Sequence, residues 1–323
     1  MARKGLFVIA EPETTRSRPL KIGLILPETE RQMNGGSARW SDLRDMALLG
    51  EQISVDSLWI TDHLIHREPG EEPRGMWECW SLISALAAVT ERAEIGTLVI
   101  CTGFRNPSLL AKMADTVEEI SGGRLILGIG AGWNEPEYRA FGYPFDHRTD
   151  RFEEALAIIS ALLREGHVDF SGTYYEARDC ELRPRGPRPN GPPIMVGASQ
   201  AGPRMLDLTA RHADGWNTWF GSTGNTVEGL QPLLDRVDAA CAAAGRDPAS
   251  LERSAAVIVE VGPHVPSAMT GLPLKGSPAE IAAGLRAYAD AGVSHLQVWL
   301  EPNTPAGTEA FAPVLEALDY GGG

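Results

Sequence analysis

The sequence predicts one α/β domain, a (β/α)8 or TIM barrel with an insertion between its fourth helix and fifth strand. Three observations lead there. Eight short apolar runs recur between amphipathic stretches, most of them without the polar alternation of a half-solvated sheet. Runs of that kind suit strands buried on both faces, as in a parallel sheet flanked by helices. The segments that follow strands are long and irregular, whereas most that follow helices are short turns such as "SGG" and "HADG". Irregular residues are thus concentrated at the C-terminal end of the strands, where barrel active sites sit. Finally, 323 residues with 43% hydrophobic content suit two ordinary domains or one barrel, and eight β/α repeats favour the barrel.

In chain order the predicted strands cover 21–26, 56–62, 94–100, 124–130, 193–198, 214–220, 255–262 and 295–301. Helical patterns cover 40–53, 78–90, 107–120, 148–163 and 277–292, with Ser41, Asn106-Pro107 and Ser277-Pro278 as cap signals. Residues 1–19 read as a loose tail and 20–323 as the barrel domain. Within 164–192, "FSGTYYEARDCEL" reads as a small hairpin and "RPRGPRPNGPP" as a stiff connector, so the segment is an insertion rather than a domain boundary.

The net charge of -14 disfavours nucleic acid or an anionic membrane as a partner, and no apolar run reaches the ~20 residues of a membrane span. Four scattered cysteines without a CxxC fit reduced thiols and a cytoplasmic setting. The glycine-rich turn Gly128-x-Gly130-x-Gly132 follows the fourth strand and lacks dinucleotide-binding spacing. Pro136, Gly142 and Pro144 also argue against a helix starting directly after it. Gly197-Ala198-Ser199, followed by a helix opening near Pro203, is the better phosphate cradle, because free N–H groups and a hydroxyl can meet a phosphoryl oxygen there. His63 and His66 form an HxxH beside Glu68, but without a convergent ligand set no metal is expected and a metal-dependent hydrolase is the weakest reading. Cys101 reads as a small buried hydrophobe and Trp216, Trp219 and Trp299 as core or pocket lining.

The run "LGIGAGWNEPEYRAFGYPFDHRTDRFEEAL", together with "DSLWITDH", "IGTLVICTGFRNPSLLAKMADTVEEISGGR" and "PIMVGASQAGPRMLDLTARHADGWN", resembles the bacterial luciferase-like superfamily of flavin- and deazaflavin-dependent oxidoreductases. The resemblance implies a barrel with the ring system of coenzyme F420 or FMN across its C-terminal mouth. It implies His63 as the catalytic proton carrier, with Asp62 at the ring. It also implies a non-prolyl cis peptide at Leu98–Val99, after Thr97, behind the ring, and Asn134 beside ring or substrate. A sugar-phosphate-oxidising relative would carry a glutamate where this chain has Trp133. F420-dependent hydride transfer is the first expectation for function, and FMN-dependent monooxygenation with reduced flavin and oxygen the alternative. A non-catalytic flavin-binding protein is the alternative of another class. The partners expected are a small organic substrate and a second copy of the chain as a dimer.

Overall fold

A computed structural model describes residues 18–67, 70, 72–200, 202–263 and 272–320. Eight strands carry the architecture: β1 Lys21–Ile25, β2 Ser57–Ile60, β3 Glu94–Thr97, β4 Leu125–Gly130, β5 Ile194–Gly197, β6 Gly215–Thr218, β7 Glu252–Glu260 and β8 His295–Glu301. Each pairs in parallel with the next, and β8 pairs with β1, so the sheet closes on itself as the apolar runs predict. The main outer helices are α1 Trp40–Gln52, α2 Cys79–Val89, α3 Pro107–Ser121, α4 Arg148–Glu165, α5 Pro203–His212, α6 Val227–Ala243, α7 Pro278–Asp290 and α8 Pro305–Tyr320.

The cap signals succeed where a side-chain oxygen reaches free N–H groups. Asn106 accepts from the amides of Ser108 and Leu109, and Ser277 and Glu280 form a reciprocal box. Ser41 does not cap: α1 starts one residue earlier, and Asp42 reaches back to the Arg39 amide instead. Arg18, assigned by sequence to the tail, is pinned to Asp56 at 2.8 Å and Asp319 at 2.7 Å; the preceding residues lie outside those described.

Strand alternation separates two apolar clusters. Ile22, Leu24, Leu58, Ile60 and Ile95 belong to the cluster that joins the strands to the helices, while Ile25, Trp59, Ile126, Met195, Ala256, Ile258 and Trp299 form another that fills the barrel. Trp59 fits inside because its neighbours lack Cβ atoms. A methyl at Gly23 would come within 2.3 Å of the indole Nε1, and one at Gly96 within 2.2 Å of the six-membered ring. The indole N–H donates to Ser57 Oγ at 2.7 Å, and Ser57 Oγ lies 2.7 Å from His295 Nε2.

Burial, helped by the charge of Lys21, pushes the His295 imidazole down to about 3. The unfolded chain therefore takes up a proton below about pH 6.5 that the folded protein refuses, and stability is lost as pH falls from that value towards 3. Between pH 7.5 and 4.5 this group alone is expected to cost ~2–3 kcal/mol. Urea unfolding of wild type and His295→Gln at both pH values measures it: the variant should lose less stability on acidification. Equal losses would assign the acid sensitivity to other groups.

The 164–192 insertion is an antiparallel hairpin, His167–Ser171 with Glu176–Glu181, followed by the proline-rich connector. Glu154 on α4 holds the hairpin turn by accepting from the amides of Thr173, Tyr174 and Tyr175. Arg188 ties the connector to the buried Glu118 on α3. Among the described residues no helix is long and apolar enough to cross a membrane.

Candidate active site

Polar side chains that follow the first four strands meet at the C-terminal end of the barrel, beside an apolar floor. Glu28 follows β1, and Thr61, Asp62 and His63 follow β2. Leu98 and Val99 follow β3 and are joined by a cis peptide bond, as the resemblance implies. After β4 the chain turns through Gly132, with φ of +72°, into a short helix, Glu135–Phe141. This helix corrects the sequence reading. Pro136 stands in its first turn, where a missing N–H costs nothing, and Gly142 ends it in the left-handed conformation.

His63 is held from that short helix. Its Nδ1 lies 2.9 Å from Glu137 Oε1, and Glu137 Oε2 accepts the Leu64 amide at 3.0 Å. Glu137 is buried, whereas the His63 side chain keeps 21% exposure. Burial lowers the His63 basicity, but the hydrogen bond and charge of Glu137, with Asp62 and Glu28 behind, more than offset it and raise the pKa. Glu28 is buried and hydrogen-bonded to Thr61, with no partner for Oε2 among the described residues. Burial pushes its carboxyl up to about 7, against the hydrogen bonds and the charge of His63. The exposed indole of Trp133 stands edge-on to His63 and His66, with ring centroids 5.6 and 5.9 Å away.

Asp62, which the resemblance places at the ring, is engaged by the protein itself. Its side chain is fully buried, and it accepts from Arg105 at 2.6 and 2.9 Å and from the Cys101 amide at 2.8 Å. Arg105 also reaches Glu78 at 2.6 Å, so its guanidinium is shared between two carboxylates. Of the other residues expected at a cofactor, Thr97 is buried and donates to the Gly128 carbonyl at 2.7 Å, and Asn134 is buried and donates to the Ile65 carbonyl at 3.2 Å. Leu98 and Ala198 are also buried, whereas Val99, Gly197 and Ser199 are partly exposed. Arg204, at the start of α5, is paired to Asp150 and Glu153 rather than turned to the cradle.

Cys101 is inert as a nucleophile: its thiol lies 2.8 Å from the Tyr138 hydroxyl, and burial pushes it up to about 12. Glu68 of the HxxH reading lies outside the described residues. No group of three His, Cys, Asp or Glu side chains suited to a metal occurs among those described. The sequence reading passed over Glu28 and Glu137. For Glu28 the available signal was an acid just beyond an apolar barrel strand; for Glu137 there was none, because its partner is 74 residues away.

Among similar proteins, the pyrimidine monooxygenase RutA of Cronobacter sakazakii (strain ATCC BAA-894) is 37% identical over 175 residues, 53% of this chain and 50% of the relative. An F420-dependent glucose-6-phosphate dehydrogenase of Amycolatopsis mediterranei (strain U-32) is 33% identical over 183 residues, 54% and 52% of the two chains. The chain thus spans about half the length of the curated relatives it matches. A solved F420-dependent secondary alcohol dehydrogenase in complex with an F420–acetone adduct shares the fold with a TM-score of 0.77 at 18% identity, over 93% of this chain and 99% of that one. A luciferase-like monooxygenase profile matches residues 20–270, and the chain belongs to that family of flavin- and deazaflavin-dependent oxidoreductases.

Proposed function

We propose that the protein is an FMN-dependent monooxygenase acting on a small organic substrate. This reverses the sequence-based order of F420 and FMN, and its support is the 37% identity to a pyrimidine monooxygenase. The observation that carries the assignment of the site is the Glu137-held His63 at the end of β2, beside the apolar floor.

The residues at the mouth would suit a flat ring. Val99 sits against Gly130 and Gly197, where an added Cβ would come within 2.9 and 2.7 Å of its side chain, so only glycine leaves that back wall in place. Val99 and Leu98 would support the ring, and Gly197, Ala198 and Ser199 with the start of α5 would take the phosphate. Bound reduced FMN supplies the electrons for oxygen chemistry, which no side chain here can. His63, carrying a proton, would donate it to an oxygen of the reacting group, and Glu28, which titrates near neutrality, would hold a second proton behind it. Leu98, Ile258, Trp219 and Trp299 would keep water from the reacting atoms. Asp62 takes the role of fixing the Arg105 and Cys101 contacts under His63.

The test supplies reduced FMN, 18O2 and a panel of small substrates that includes pyrimidines. Incorporation of one 18O atom into product is expected. Substrate-dependent turnover with F420 and no need for oxygen would favour the second reading, hydride transfer, which the 33% identity to an F420-dependent dehydrogenase supports. Binding of either ring without turnover of any substrate would favour the non-catalytic alternative.

A further inference from the structure

We propose that Glu137 is a positioning residue whose carboxylate fixes the tautomer of His63, keeping a hydrogen on Nδ1 and leaving Nε2 as the nitrogen that exchanges a proton with substrate. The inference rests on the reading of His63 as the proton carrier. It starts from an arrangement that sequence spacing does not suggest: a buried carboxylate on a two-turn helix after β4, 2.9 Å from a ring nitrogen on the loop after β2.

A carboxylate can only accept, so the nitrogen facing it carries hydrogen in both the neutral and the cationic ring. The proton that comes and goes must then be on Nε2. Glu137 Oε2 is committed as well, to the Leu64 amide at 3.0 Å, so the carboxylate cannot swing away without giving up a half-buried N–H. Both oxygens thus clamp the residue pair 63–64, one through the ring and one through the backbone. The other groups around His63 do not offer this control. Asp62 is spent on Arg105 and the Cys101 amide, and Glu28 is hydrogen-bonded to Thr61. The rings of His66 and Trp133 stand at 6.2 and 5.6 Å between centroids.

The experiment uses the full chain with Glu137→Gln, Glu137→Asp and His63→Gln. Long-range proton–nitrogen NMR correlations of the imidazoles, with the His63 signals assigned by their loss in His63→Gln, read the tautomer and the titration midpoint directly, without substrate. The wild type should show the Nδ1–H tautomer. Glu137→Gln, whose amide can donate as well as accept, should show a mixture of tautomers and a midpoint lower by about one pH unit or more, while unfolding cooperatively. The alkaline limb of kcat against pH should move in the same direction, and Glu137→Asp should restore part of both shifts. An unchanged tautomer and midpoint in folded Glu137→Gln would overturn the proposal, leaving Glu137 as a loop anchor through Leu64. Failure of the underlying reading looks different: the tautomer would respond to Glu137→Gln as expected, yet His63→Gln would leave the rate and its pH limb unchanged.

Discussion

Replacing His63 with alanine is expected to lower turnover by about 10²–10⁴-fold while leaving the barrel folded and ring binding largely intact. The side chain is at the mouth and keeps 21% exposure, so its removal creates no large cavity in either apolar cluster. What goes is the ring that Glu137 holds at 2.9 Å and, under the proposed function, a proton donor whose pKa that partner raises. In barrier terms the loss is about 3–5 kcal/mol. Measuring kcat beside the thermal unfolding midpoint separates chemistry from stability: a low rate with a wild-type midpoint is the expected pair. A wild-type rate would reduce His63 to a residue of the rim.

The second large effect is on stability. Arg105→Ala should destabilise the fold by ~3–5 kcal/mol, because it leaves the Asp62 carboxylate buried with its countercharge gone. Asp62 would keep only the Cys101 amide, and Glu78 would lose a 2.6 Å contact. The cause is uncompensated charge rather than lost volume, which a second substitution can test. Asp62→Asn placed on the Arg105→Ala background should recover a substantial part of the loss in urea unfolding. If the double variant is no more stable than Arg105→Ala, the destabilisation comes from packing instead.

The barrel was legible because burial on both faces leaves a simple mark. The run 124–130 carries almost no polar alternation, and the structure places β4 there with every residue buried. Caps were legible when the chemistry was local, as at Asn106 and Ser277. The short helix Glu135–Phe141 is hidden by Pro136, which marks a break in most helical positions but is compatible with a first turn. The site was legible only in part. The apolar strand β2 leads to Asp62 and His63, but nothing nearby in the chain tells that Asp62 turns inward to Arg105, 43 residues on, while His63 turns to Glu137, 74 residues on. Such pairings arise from the parallel pairing of β2, β3 and β4, which sets their C-terminal ends side by side. The cis bond at Leu98–Val99 was legible through family resemblance, since no residue type in "TLVI" demands it.

That the C-terminal mouth holds a flavin-type ring is tested most directly by titrating the purified apoprotein with FMN and, separately, with F420, while following quenching of the ligand's fluorescence. Saturable quenching at one FMN per chain is predicted, tighter than any F420 binding and weakened when Gly197→Val crowds the back wall against Val99. Tight F420 binding without FMN binding would restore hydride transfer as the leading activity. The absence of saturable binding by either ring would contradict the assignment of the mouth itself.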